Sequence, residues 1–222
     1  GYPQGTVVVR DGVFASASEG LALFLRGTSS HAAEPQQGRS PALAIAQLIQ
    51  SFSALPQFFT GLDENAKATI IHARIGEEAY GTSPGEGRLM VTLRSYDNEL
   101  LHRMDVEALR QAAHVADAYK LALSSAIREA FPATVNNDEA VKIVRSAARM
   151  LDLPVLTPIV PFPWSEDFGH FTKKYKGALL GLGAGEDHPA LHSPAYDWPD
   201  ALTGTGVALL LEIVRNTLGR TA

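Results

Sequence analysis

Residues Trp164 to Trp198 read WSEDFGHFTKKYKGALLGLGAGEDHPALHSPAYDW, and this stretch carries the densest chemistry of the chain. Its apolar centre, Ala178 to Leu182, is closed by Gly183 and Gly185, which predicts a buried strand opening into a sharply turning loop. In that loop Asp187, His188, His192 and Asp197 lie close together, while Pro189, Pro194 and Pro199 deny it a continuous helix. Upstream, Ser165 is a good helix-capping type followed by Glu166 and Asp167, which predicts both carboxylates on the first turn of a short helix. A strand that delivers polar residues to a loop at its carboxyl end is how α/β proteins build sites, and the fold class is read as α/β.

The flanking sequence extends this layer. Asn137 or Asp138 caps a helix through Leu151, with Val141, Val144, Ala147, Ala148 and Leu151 on one face. Pro154 to Val160 reads as a strand and Thr205 to Leu218 as a closing helix. Two strands with two helices make a poor free-standing core, so this part of the chain expects a partner.

Further upstream the pattern changes. Leu21 to Arg26 reads as a strand, Gly27 to Gly38 as a polar loop, and Ser40 to Leu55 as a helix capped by Ser40 with Pro41 at its first position. Leu43, Ala44, Ala46, Leu48, Ile49 and Phe52 form its apolar face. Lys67 to Ile75 and Arg88 to Tyr96 read as an antiparallel pair, Asp105 to Ala118 as a helix and Ala122 to Ala130 as a strand. The order β-α-β-β-α-β is the ferredoxin-like, split βαβ arrangement, which makes the fold α+β in this part. Thr6 to Val9 is a further strand that a turn at Asp11-Gly12 lets pair with Val13 to Ala15 as a hairpin.

Composition narrows the function classes. With 222 residues, 45% hydrophobic content and a formal charge of -5, the chain is an ordinary globular sequence. Its charges are interspersed and no basic stripe is visible along the sequence, which argues against nucleic-acid binding. No run reaches the roughly 18 apolar residues of a membrane span, and no signal peptide opens the chain, so the cytoplasm is the default location. There is no cysteine, so a metal would have to be held by His and carboxylate.

The segment SEDFGHF, the strand ending GLGAG and the motif LHSPAYDWPD resemble, in that order, the C-terminal part of the M20 family of metal-dependent peptidases and amidohydrolases, the aminoacylase, carboxypeptidase and hippurate-hydrolase group. Upstream, LRGTSSHAAEPQQGRSPALAIAQLI resembles the opening strand and helix of that family's dimerisation, or lid, domain. The resemblance covers nearly the whole chain. It implies three segments: 1–17 as a connecting end of the catalytic domain, 18–133 as a ferredoxin-like lid domain, and 134–222 as the C-terminal part of an α/β zinc-peptidase-like catalytic domain. The family's N-terminal half, with its H-x-D ligand motif, bridging carboxylate and catalytic Glu pair, has no counterpart in this sequence, so the chain is expected to be a C-terminal portion that needs that half.

The resemblance also implies roles. His192 would be a metal ligand, against the alternative of a loop histidine capping carbonyls. His188 is read as structural. Glu166 and Asp167 would contact substrate or orient a ligand, against simple helix capping. His31 would reach across a homodimer to stabilise the developing oxyanion in the partner's site, against a solvated loop histidine. The helix Ser40 to Leu55 with the first strand beside it is the expected dimer surface. Arg94 would hold a substrate carboxylate, against a surface ion pair. Where many relatives carry Asn in an N-x-x-P turn, this chain has Gly81-Thr82-Ser83-Pro84. The implied activity is hydrolysis of the amide bond of N-acyl amino acids or small peptides by water activated on a divalent metal, Zn²⁺ or else Mn²⁺ or Co²⁺. A catalytic zinc site takes about three protein ligands, and one credible His with one or two carboxylates falls short, so the isolated chain is expected to be inactive. The competing reading is a non-catalytic dimerisation or scaffold fragment.

Overall fold

The computed structural model describes residues 1–219. In chain order the elements are β1 (Val7–Val8), β2 (Gly12–Ala15), β3 (Ala17–Arg26), β4 (Ser30–His31), α1 (Ala42–Ala54), β5 (Ala66–Ile75), β6 (Thr82–Ser83), β7 (Glu86–Ser95), α2 (Asn98–Ala118), β8 (Ala122–Phe131), β9 (Thr134–Asn136), α3 (Asp138–Met150), β10 (Val155–Leu156), α4 (Gly169–Thr172), β11 (Gly181–Leu182) and α5 (Ala201–Leu218). Two compact units divide them: Ser16–Ala133, and Gly1–Ala15 with the residues from Thr134 onward. Among the described residues no helix is long and apolar enough to cross a membrane.

The Ser16–Ala133 unit is a four-stranded antiparallel sheet in the order β5-β7-β3-β8. Alternation along β3 sends Leu21, Leu23 and Leu25 to one face, where they are buried with Leu89, Val91 and Leu93 of β7. The apolar faces of α1, through Ile45, Leu48 and Phe52, and of α2, through Met104, Ala108 and Ala112, supply the rest of this core. The sequence places the start of α2 seven residues too late, because the helix opens on a cap rather than on its apolar face. Asp97 Oδ1 accepts from the Glu99 and Leu100 amides at 2.6 and 3.1 Å, satisfying donors that the helix itself leaves free.

Two expectations about this unit are corrected. Leu43 and Ala46 of α1 are exposed and Ile45 takes the inward position, so part of the predicted apolar face points away from the sheet. The first strand, β3, lies inside the sheet between β7 and β8, and the edge strand packed beside α1 is β5.

In the other unit β1 is the middle strand of three, parallel to β10 and antiparallel to β11. Both of its edges are therefore taken, and the hairpin expected between Thr6–Val9 and Val13–Ala15 does not form; β2 pairs with β9 instead. Val7, Val9, Val141, Val144, Ala147, Ala148 and Leu209 form the core here. Asn137 caps α3 by accepting from the Glu139 and Ala140 amides.

Both long strands expected in this unit shrink to two residues. Leu179 uses its backbone N–H and C=O on the side chain of buried Asn136, at 2.8 Å each, instead of on a neighbouring strand. The stretch after Leu156 loses the ladder at Pro158, which has no N–H to give, and Ile159 and Val160 stand exposed.

Candidate functional site

His31 lies on β4, a two-residue ribbon whose partner is β6: His31 stands opposite Thr82 and Ser30 opposite Ser83. The Ala32 amide donates to the Gly81 carbonyl at 3.0 Å. The Gly81-Thr82-Ser83-Pro84 segment, which departs from the N-x-x-P pattern, thus serves as the second strand of the ribbon that carries His31. The imidazole is exposed, and its Nδ1 accepts from the Ala33 amide at 3.0 Å. An acceptor Nδ1 puts the proton of the neutral ring on Nε2, so the free edge of His31 is a hydrogen-bond donor.

Arg94 sits half-buried on β7, opposite Ser18 of β3 and Lys67 of β5, on the sheet face that the helices leave open. His31 and Arg94 ride on one unit, and Glu166, Asp167 and His192 on the other.

Glu166 and Asp167 are exposed, and the expectation that they occupy a first helical turn is corrected. They precede α4, which begins at Gly169 without any side-chain cap. Stacking of Trp164 on Phe162, with centroids 4.7 Å apart, and its edge contact with Phe14 at 6.0 Å anchor the segment before it turns. The carbonyls of Glu166 and Asp167 accept from the Gly169 and His170 amides, and both residues are exposed.

The two loop histidines differ sharply. His188 is braced, with Nδ1 3.0 Å from the Pro189 carbonyl, Nε2 2.8 Å from the Asp197 carbonyl, and Tyr196 packed against its ring at 5.2 Å. His192 is exposed, has no hydrogen bond to its ring among the described residues, and sits at φ +70°. A side chain rarely adopts that left-handed backbone, and such strain concentrates where a residue is held for a purpose.

The described residues do not make a metal centre by themselves: no group of three or more His, Asp or Glu among them is arranged to hold an ion. His192 is a ligand type with no hydrogen bond to its ring among the described residues, and no described residue near it completes a set.

One arrangement had no signal in the sequence. Glu19 of β3 faces Asp105 of α2 beneath the helix, and Glu19 Oε1 and Asp105 Oδ1 are buried without a hydrogen-bond partner. Burial first, then the neighbouring Asp105 carboxylate, push Glu19 up to about 7. Asp105 is also raised by burial, with His102 pulling the other way. Only strand register and helix phase together bring these two positions into contact.

Against known proteins, residues 3–216 match the model of the peptidase family M20/M25/M40. A curated relative from Staphylococcus epidermidis, described as an uncharacterized hydrolase, is 29% identical over 171 residues, covering 76% of this chain and 44% of the relative. The chain thus spans less than half the length of that relative. Among solved structures, a putative aminohydrolase from methicillin-resistant Staphylococcus aureus superposes with a TM-score of 0.82 at 18% identity, over 98% of this chain and 57% of that one. The Bacillus subtilis YXEP protein, described as a dinuclear metal-binding peptidase from the M20 family, gives 0.73 at 18% identity, over 97% of this chain and 54% of that one. With a family model matched along almost its whole length, in a fold shared with those structures, the chain belongs to peptidase family M20/M25/M40, a family of hydrolases.

Proposed function

We propose that this chain is the lid and the C-terminal catalytic portion of a metal-dependent, cytoplasmic hydrolase that cleaves the amide bond of N-acyl amino acids or small peptides. The observation that carries the reading is the ribbon-borne His31, exposed, with Nδ1 satisfied by its own backbone and Nε2–H left to donate. A fixed neutral donor of this kind suits the oxyanion that forms when water adds to an amide carbonyl. Arg94 offers a planar two-donor fork for the substrate carboxylate, and Glu166 and Asp167 offer outward carboxylates for a substrate amide or a neighbouring ligand. His192 supplies one ligand to a divalent-metal site of Zn²⁺, Mn²⁺ or Co²⁺, and an N-terminal half outside this chain supplies the others. Helix α5 supports such a partner. Val207, Leu210, Leu211, Val214 and Leu218 form an exposed apolar stripe at helical spacing, on a helix whose Leu202 and Leu209 are already buried.

The protein works as a homodimer through the lid, with α1 and the open edge of β5 as the surface. Exposed Leu43, Ile71 and Ile75 supply its apolar contacts. The absence of a three-ligand set among the described residues favours, as a second reading, a non-catalytic dimerisation fragment. One experiment separates the two. In the complete enzyme, His31→Ala and His192→Ala should each be strongly impaired, and after subunit exchange the mixed dimer holds one site with both histidines intact. Activity rising well above that of either parent is the expected result; confirmed exchange with no rise overturns the trans-acting role of His31.

A further inference from the structure

Helices α1 and α2 both lie on one face of the β5-β7-β3-β8 sheet, and no element of that unit covers the other. Strand register fixes what the open face carries. Phe24 stands opposite Arg88 and Ser124, Arg88 opposite Arg74, and Arg26 opposite Glu86 and Ala122. Toward the other end, Arg94 faces Lys67 and Arg128 faces Gly20. In a chain whose formal charge is -5, one sheet face thus gathers Arg26, Arg74, Arg88, Arg94, Lys67 and Arg128 against a single strand carboxylate, Glu86. These cations come from four strands, which is why no basic stripe shows along the sequence.

At one end of this face a groove of about 390 Å³ opens between Phe24, Arg26, Arg74, Arg88 and Ser124, with the carboxylates of Glu77 and Glu86 also on its wall. That volume is within the range of small-ligand sites, roughly 300–1,000 Å³. Phe24 is 39% exposed, and the Arg88 guanidinium lies over its ring with Cζ 5.1 Å from the centroid. Stacking holds the guanidinium plane while leaving its N–H edge to donate. Arg74 is taken up by Glu77 and by the Gly76 carbonyl. Arg26 has no hydrogen bond or ion pair among the described residues, and Glu86, though opposite it in register, does not close on it.

We propose that this groove binds a small organic anion, a carboxylate or phosphate attached to an apolar body. Arg26 and Arg88 would hold the anionic oxygens, and the Phe24 ring would take the apolar part. Two guanidinium forks at one spot match a planar or tetrahedral oxyanion better than ammonium groups would. The groove is lined by neither His31 nor Arg94, and the proposal needs no metal.

The test uses this chain at low salt, titrated separately with inorganic phosphate, benzoate and phenyl phosphate, and read from the arginine Nε–H and backbone amide resonances. Saturable shifts centred on Arg26, Arg88 and Phe24 are expected, with phenyl phosphate or benzoate binding tighter than bare phosphate. Whether phosphate or carboxylate is preferred follows from the ranking of phenyl phosphate against benzoate. Arg26→Ala and Arg88→Ala should each weaken binding by about tenfold or more, as should Arg88→Lys, which keeps the charge and loses the fork. Arg103→Ala, an exposed arginine on α2, should leave it unchanged. All the altered side chains are exposed, and circular dichroism checks the fold. No saturable shift with any of the three probes, or binding within twofold of the parent in both Arg26→Ala and Arg88→Ala, overturns the proposal.

Discussion

Replacing Glu19 by Gln tests the buried carboxyl pair. Glu19 titrates at about 7 in the fold against 4.5 for an unperturbed glutamate, because burial and Asp105 both disfavour its charge. A carboxyl whose folded value is raised keeps its proton in the native state while the unfolded chain has already lost it. Stability is therefore whole below about pH 4.5 and falls as the pH rises toward 7, since the native state binds more protons than the unfolded one. At about 1.4 kcal/mol per tenfold change in proton affinity, the loss above pH 7 is at most about 3.5 kcal/mol. The side chain is only half-buried, so solvent screening reduces this to about 1–2 kcal/mol. Gln has nearly the same shape, carries no charge at any pH and can donate its amide to Asp105. Urea melts of this chain should show Glu19→Gln more stable than the parent by about 1–2 kcal/mol at pH 8, with the difference shrinking to a few tenths at pH 4.5. Parallel stability curves for the two proteins from pH 4.5 to 8 would refute the reasoning, because they would mean that Glu19 ionises freely beneath α2.

In the complete enzyme, His192→Ala should lose metal, measured by elemental analysis, while His188→Ala keeps it, since both ring nitrogens of His188 already face backbone carbonyls. Equal loss would mean that both histidines coordinate. His31→Ala should lower kcat by on the order of 10²-fold without changing metal content, the cost of an oxyanion donor. Asp97→Ala should destabilise the Ser16–Ala133 unit by about 1 kcal/mol by removing the α2 cap; a change below a few tenths in urea melts would show the cap to be idle.

What the sequence made legible, and what it hid, divides along a physical line. The β-α-β-β-α-β order was readable because each element is long and its apolar positions repeat at a spacing that only one element type satisfies, as in β5, β7 and α1. The short pieces were not. Pro154–Val160 and Ala178–Leu182 have the composition of strands, but the first loses its ladder after Leu156, where Pro158 has no N–H to give, and in the second Leu179 bonds the Asn136 side chain, and composition says nothing about partners. The SED segment misled for a related reason: Ser165 has the chemistry of a cap, yet the aromatic cluster of Phe14, Phe162 and Trp164 decides where the chain first turns.

The candidate site divides in the same way. His31 and His192 could be named as candidates because each stands in a polar, proline-flanked stretch of sequence where a histidine has little structural work, and the structure adds what a sequence cannot hold, namely which ring atom of His31 is already used. Nδ1 of His31 is spent on Ala33, so any ligand meets Nε2–H. Collective properties stayed invisible. A cationic sheet face is assembled from residues up to about a hundred positions apart, each unremarkable beside its own neighbours in sequence, and it exists only once register aligns β5, β7, β3 and β8. Local charge counting therefore excluded a basic surface that the fold builds, and the same register that buries Leu21, Leu23 and Leu25 is what turns Arg26, Arg88 and Phe24 to the open side. A one-residue slip of β3 against β7 would exchange these sets and destroy the core, so the anion groove is held in place by the same hydrophobic burial that holds the sheet.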